Sequence, residues 1–186
     1  MVIQLKGNEF MKKKHGLLIR EYLYAVLFVV LAVILDQFTK YMAVVHLKDK
    51  KAIPLIEGVF ELQYLENRGA AFGIMQNQQT FFIVTTILIM AAIVYLYNKI
   101  PKNKKYYPLK VCMILVSAGA IGNLIDRMLN NYVVDFFYFK LIDFPIFNVA
   151  DCYVVVACIL FIFLILFYYK EEDLTFISLK NGEKKE

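Results

Sequence analysis

Four long apolar runs, separated by polar connections, organise the chain. The first covers Tyr22 to about Val45 and holds the unbroken stretch from Ala25 to Leu35. The second covers about Thr80 to Tyr97, and the third about Leu109 to Ile125. The fourth covers Asp151 to Tyr169 and carries no charge after Asp151. A helix rises ~1.5 Å per residue, so each run can cross a hydrocarbon core of roughly 30 Å with modest help from flanking residues. The pattern therefore predicts four membrane-spanning helices. The third run is the least apolar, because it contains Ser117-Ala118-Gly119-Ala120-Ile121-Gly122. Small residues let helix backbones approach closely, so this face is expected against another helix.

Two of the connections have patterns of their own. The first, about 46–79, is long for a link between helices. Within it Val59 to Leu65 alternates in part and is rich in β-formers, which predicts a strand bounded by Gly58 and by Asn67-Arg68-Gly69. The stretch Gly69-Ala70-Ala71-Phe72-Gly73 is small enough for a backbone to approach something closely. The third connection, about 127–150, holds a second strand-like run from Val133 to Phe139. Pro145 breaks that run, and Phe147-Asn148-Val149-Ala150 leads into the fourth helix. The many Phe and Tyr residues here are expected to sit at headgroup level.

Composition agrees with this layout. The chain has 186 residues, 60% of them hydrophobic. Its mean hydropathy is +0.57, and a soluble domain would be closer to half apolar. One helical membrane domain over 22–169 is expected, with an N-terminal extension over 1–21 and a tail over 170–186. The extension is polar and expected to be flexible. The first run is too long for a signal peptide, and Asp36-Gln37-Phe38-Thr39-Lys40 stands where a small-residue cleavage site would be, so it is expected to remain as a span.

Charge sets the orientation. Of 21 Lys and Arg residues, 14 fall in the N-terminal segment, the second connection and the tail. That side is expected to be cytoplasmic, which puts both termini inside and the first and third connections outside. The net charge of +5 reflects this anchoring. It is no sign of nucleic-acid binding, because no basic stripe with interleaved aromatics occurs outside the apolar runs. Cys112 and Cys158 lie in membrane runs and read as small apolar residues. Cys152 follows Asp151, but neither His15 nor His46 is placed to activate it.

Four carboxylates remain, each at an end of an apolar run: Asp36, Asp126, Asp135 and Asp151. The predicted topology puts all four on the outer side. A charge near hydrocarbon is costly, which makes each a functional candidate. Asp135 and Asp151 are 16 residues apart across a loop that can bring them together. Two adjacent carboxylates do not readily both ionise; one keeps a proton while the other accepts one. Such a pair can activate water for attack on an amide. The plainer reading of Asp151 is a helix N-cap. Asp126-Arg127 reads as an internal ion pair or a hydrogen-bonded helix end, and Asp36 with Lys40 as an i,i+4 pair on one helix face. Asp143 reads as a solvated loop charge. A proton-coupled carrier is the rival class, yet carrier sites usually lie near the midplane between internal repeats, and no repeat relates the two halves here. A non-catalytic scaffold would leave the clustered Asp and Asn residues unexplained.

Five motifs in order resemble the lipoprotein signal peptidase family (signal peptidase II), an aspartic peptidase family. They are Leu35 to Lys40, Asn67 to Gly73, Gly122-Asn123-Leu124-Ile125-Asp126-Arg127, Val133-Val134-Asp135-Phe136, and Phe147 to Asp151. The resemblance runs from about Leu31 to Val155. It implies an all-α membrane protein, with four transmembrane helices and a small β-rich extracytoplasmic element beside a mobile outer segment. It implies that Asp135 and Asp151 are the catalytic dyad. It further implies that Asp36, Lys40, Asn67, Gly69, Asn123, Asp126, Arg127 and Asn148 position the dyad, the substrate or the local backbone. The implied substrates are diacylglyceryl-modified prolipoproteins, cut just before the lipidated cysteine in the cytoplasmic membrane of a bacterium. No metal or organic cofactor is implied, and membrane lipids are the other expected partners of a monomer.

Overall fold

A computed structural model of the chain describes residues 2–69 and 75–177. The elements run α1 (Val2–Leu47), β1 (Ile53–Ile56), β2 (Phe60–Asn67), α2 (Gln79–Lys99), α3 (Tyr107–Asn130), β3 (Val133–Tyr138) and α4 (Val149–Phe163). The four helical stretches apolar enough to span a bilayer are Ile19–Leu47, Gln79–Lys99, Lys104–Asn130 and Val149–Tyr168. These are the four expected spans. Their exteriors are apolar: Leu23, Leu88 and Ile159 are each more than 60% exposed. Water would not tolerate a continuous apolar belt of that kind, whereas lipid covers it without cost. α1 begins at Val2, so the N-terminal segment is helical and continuous with the first span.

Helix α3 is the centre of the bundle and packs against α1, α2 and α4. Its small residues are the reason. A methyl group added at Gly119 would strike the Ala150 carbonyl oxygen of α4. One added at Gly122 would lie 2.5 Å from Asp36 Oδ2 of α1. Both close approaches therefore require glycine, as the small-residue stripe predicts.

The first and third connections build a three-stranded antiparallel sheet in the order β1-β2-β3. β2 and β3 are the two expected strands. β1 has no counterpart in the sequence expectations, because it is four residues long, contains Pro54 and is exposed throughout. An edge strand accepts proline because one side of its backbone needs no partner. The β2–β3 register sets Leu65 opposite Asp135 and Asn67 opposite Val133. A bridge between Phe137 and Phe147 draws the chain back from β3 to the start of α4. The stretch from Ala70 to Gly73, with its expected close backbone approach, lies outside the described residues.

The opposite end is closed by rings. Tyr106 stacks on Tyr169 at 5.6 Å and meets Phe176 edge-on. The Tyr106 hydroxyl donates to the Asp173 carbonyl at 2.9 Å. Lys105 pairs with the Asp173 carboxylate at 2.6 Å. The first part of the expected tail, Glu171–Ile177, is therefore a short 3-10 helix held against the bundle.

Candidate active site

The polar centre lies where α1, α3, β3 and the start of α4 converge. Asn148 is the N-cap of α4 in a reciprocal capping box. Its side-chain oxygen accepts from the Asp151 N–H at 3.0 Å, while Asp151 Oδ2 accepts from the Asn148 N–H at 3.0 Å. The cap is thus Asn148, and Asp151 is its third-position partner, which differs from the plain N-cap reading of Asp151. The box leaves Asp151 Oδ1 to accept from Asn123 Nδ2 at 2.8 Å. It also aims the Asn148 amide at β3, where Nδ2 donates to Asp135 Oδ1 at 2.6 Å. Asn67, at the end of β2, donates to Asp135 Oδ2 at 2.8 Å. The Gly69 N–H in turn donates to Asn67 Oδ1 at 3.0 Å and so fixes the amide orientation.

A buried charged layer supports this one. Lys40 Nζ is 2.9 Å from Asp36, 3.1 Å from Asp126 and 2.9 Å from Asn123 Oδ1. Asp36 and Lys40 are at most 3% exposed. Ions taken this far from water are stable only when each is paired and its remaining bonds are filled. They are filled here: Asp36 Oδ1 accepts from the Ala150 N–H at 2.9 Å, and Asp126 Oδ2 from the Val134 N–H at 3.1 Å. The layer therefore ties α1 to the first turn of α4 and α3 to β3.

Every site residue expected from the sequence falls in this region, with two changes of detail. Asp126 and Arg127 do not pair with each other. Asp126 pairs with Lys40, while the Arg127 guanidinium lies over the Phe82 ring at 4.7 Å and its Nε has no hydrogen-bond partner. Adjacent residues on a helix point about 100° apart, so only one of the two can face the Lys40 layer. Gln37 was absent from the expected set. Its amide donates to Asp126 at 2.9 Å, to the Gly122 carbonyl at 3.1 Å and to Asp36 at 3.2 Å. The available signal is its place between Asp36 and Lys40 in the otherwise largely apolar second half of α1. Asp143, as expected, is a loop charge; it accepts from the Tyr138 hydroxyl at 2.6 Å.

Asp135 and Asp151 line one cavity of about 700 Å³, together with Asn67, Asn123 and Arg127. Its other walls are apolar and come from the 139–147 loop and from Val154 to Val156 of α4. Asp135 is 1% exposed. Burial, reinforced by the neighbouring Asp151 charge, pushes its carboxyl up to about 7. Asp135 therefore holds its proton more tightly than an ordinary carboxyl, beside a second carboxylate on the same cavity. Among the described residues no three His, Cys, Asp or Glu side chains are grouped to hold a metal ion. The space between Asp36 and Asp126 is filled by the Lys40 ammonium.

Fold and site together define a multi-pass membrane protein with paired carboxylates at one end of a helical bundle. Residues 28–167 match the family model described as signal peptidase (SPase) II. A lipoprotein signal peptidase from Caldanaerobacter subterraneus subsp. tengcongensis is 45% identical over 144 residues, covering 77% of this chain and 96% of that protein. One from Streptococcus thermophilus is 45% identical over 139 residues, covering 75% and 88%. A bacterial membrane enzyme solved by the in meso method at 2.3 Å resolution superposes with a TM-score of 0.70 at 35% identity, over 86% of this chain and 94% of that one. The chain belongs to the signal peptidase II family. It is accordingly an aspartic-type endopeptidase in a bacterial membrane, from a family that removes signal peptides from lipoproteins.

Proposed function

We propose that the chain cuts diacylglyceryl-modified prolipoproteins immediately before the lipidated cysteine, with Asp135 and Asp151 as the catalytic dyad. The observation that carries this reading is that both carboxylates line one largely apolar cavity while sharing the Asn148 side chain and backbone as a common hydrogen-bond partner. Asp151, ionised, takes a proton from water, and the resulting hydroxide attacks the scissile carbonyl. Asp135, protonated, donates to the carbonyl oxygen, giving a tetrahedral gem-diol. Collapse breaks the C–N bond as the amine of the cysteine leaves with a proton. The raised affinity of Asp135 for its proton supports this division of roles. Asn67, Asn123 and Asn148 hold the carboxylates, and Gly69 holds Asn67. Arg127, which lines the cavity, supplies a contact for a substrate carbonyl.

The apolar walls suit the lipid part of such a substrate. Acyl chains remain in hydrocarbon while the peptide bond meets water at the dyad, so remote binding pays for orientation. The positive-inside pattern supports cytoplasmic termini and an active centre at the outer face. The helical bundle, with its N-terminal helix and docked tail, is proposed to act as a monomer. A diacylglyceryl-modified prolipoprotein incubated with purified protein in detergent tests the assignment. Asp135→Asn and Asp151→Asn should each lower the cleavage rate by at least about 10²-fold, the lower end for losing a positioned acid or base. Near wild-type cleavage by either variant, with folding intact, would remove that residue from the dyad.

A further inference from the structure

A second cavity lies at the far end of the bundle from the dyad. It holds about 450 Å³ and is an open groove lined by α1, α2 and α3. That is within the range of small-molecule sites, roughly 300–1,000 Å³. Its apolar lining includes Ala25, Phe28 and Ile114. Its mouth carries Arg20, Glu21 and Lys110, with Tyr24 and Tyr107 beside them. An apolar slot with a basic rim, opening between membrane helices, fits a molecule with a hydrocarbon chain and an anionic head.

Position argues for a lipid of the inner leaflet. Glu21 precedes Asp36 by 15 residues and Lys110 precedes Asp126 by 16. At ~1.5 Å per residue these are separations of about 22 and 24 Å along α1 and α3. With the dyad at the outer interface, the rim lies in the inner half of a bilayer whose core is roughly 30 Å thick, and its long basic side chains reach towards the cytoplasmic headgroups. The placement rests on the topology proposed above, whereas the cavity and its rim do not.

The rim charges are arranged for a phosphate. Lys110 is 5% exposed and pairs with Glu21, while its ammonium lies 5.5 Å from the centre of the Tyr97 ring. Glu21 thus offsets one of the two cations. The Arg20 guanidinium lies over the Tyr24 ring at 5.9 Å and, among the described residues, has no carboxylate partner. The rim keeps one net positive charge, and a guanidinium matches phosphate oxygens in a two-pronged geometry. Tyr22 braces the wall, since it donates to Asn98 at 2.7 Å and packs on Tyr97 at 5.7 Å.

We infer that this cavity binds the phosphodiester headgroup and upper acyl chain of one anionic phospholipid from the cytoplasmic leaflet, with Arg20 as the principal phosphate contact. A lipid seated there bridges the inner ends of α1 and α3, the two helices that the Lys40 layer joins at the outer end. Native mass spectrometry of the full chain in detergent, titrated with phosphatidylglycerol or phosphatidylcholine of the same acyl chains, provides the test. One phosphatidylglycerol should be retained in preference to phosphatidylcholine. Arg20→Gln should weaken that retention about fivefold, the equivalent of one basic contact at a headgroup. Lys99→Gln, an exposed lysine at the same end, should leave it unchanged. Ala25→Phe, which fills the slot, should abolish the preference. Equal retention of the two lipids, or equal losses in the Arg20 and Lys99 variants, would overturn the proposal. Asp135→Asn should bind phosphatidylglycerol as wild type does, which separates this result from the fate of the peptidase assignment.

Discussion

The two ends of this bundle are closed by different means. At the dyad end Lys40 joins α1 to α3 through Asp36, Asp126 and Asn123. At the far end Tyr106, Tyr169 and Phe176 pack the start of α3 against the segment after α4, mostly through their rings. Buried ions are costly to desolvate and fail sharply when one partner is lost. Stacked rings lose energy gradually and tolerate exchange. The dyad end builds a whole layer of buried ions where side-chain directions must be fixed, whereas the far end buries a single ion pair, Lys110 with Glu21, beside its rings.

The sharpest way to break this contrast is at Lys40. Lys40→Met leaves Asp36 and Asp126 facing each other without a cation, and should cost about 3–5 kcal/mol in reversible unfolding from mixed micelles. Adding Asp126→Asn should recover part of that loss. Failure of the second change to help would mean that Lys40 acts through packing alone.

Asp135 offers a pH-dependent version. Its carboxyl is near 3.8 in the unfolded chain and about 7 in the fold. The folded state therefore holds the proton more tightly, and stability falls as pH rises from about 4 to 7. Asp135→Asn should be nearly neutral at pH 4 and stabilising above pH 7, by up to ~4 kcal/mol for a shift of this size. Unfolding midpoints measured across that range would show the difference growing and then levelling. A difference independent of pH would contradict the buried, proton-holding role.

Gly122→Ala pushes a methyl group towards Asp36 and should cost about 1–3 kcal/mol by overpacking. Activity should drop further than stability, because Asp36 also holds the Ala150 N–H one residue before Asp151. The smallest effect belongs to the end far from the dyad. Tyr106→Phe removes the bond to Asp173 but keeps the ring, and should cost about 1 kcal/mol with no change in cleavage rate. A fall in cleavage there would show that the two ends are coupled.

Much of this contrast could be read from the chain itself. The spans follow from run length, and the glycine stripe of α3 announces a close helix contact that the structure places against Asp36 and Ala150. The carboxylates stand out because hydrocarbon makes them expensive. Other features depend on three dimensions. β1 has too few residues, with a proline among them, to register as a strand alone. Asn148 rather than Asp151 is the cap because the helix starts one turn earlier than the apolar run. The partner of Asp126 is on another helix, so its neighbour Arg127 in sequence was misleading. Gln37 is a polar residue next to an acidic one, and only the convergence of α1 on α3 gives it three acceptors.

The position of Asn148 has a pharmacological corollary. One amide begins a transmembrane helix, orients Asp151 and grips Asp135. A target cell escapes a drug by changing a residue that the drug needs and the enzyme can spare. An inhibitor that takes its main hold on this asparagine leaves no such residue to change, because a substitution that evades the compound dismantles both the helix start and the proposed dyad.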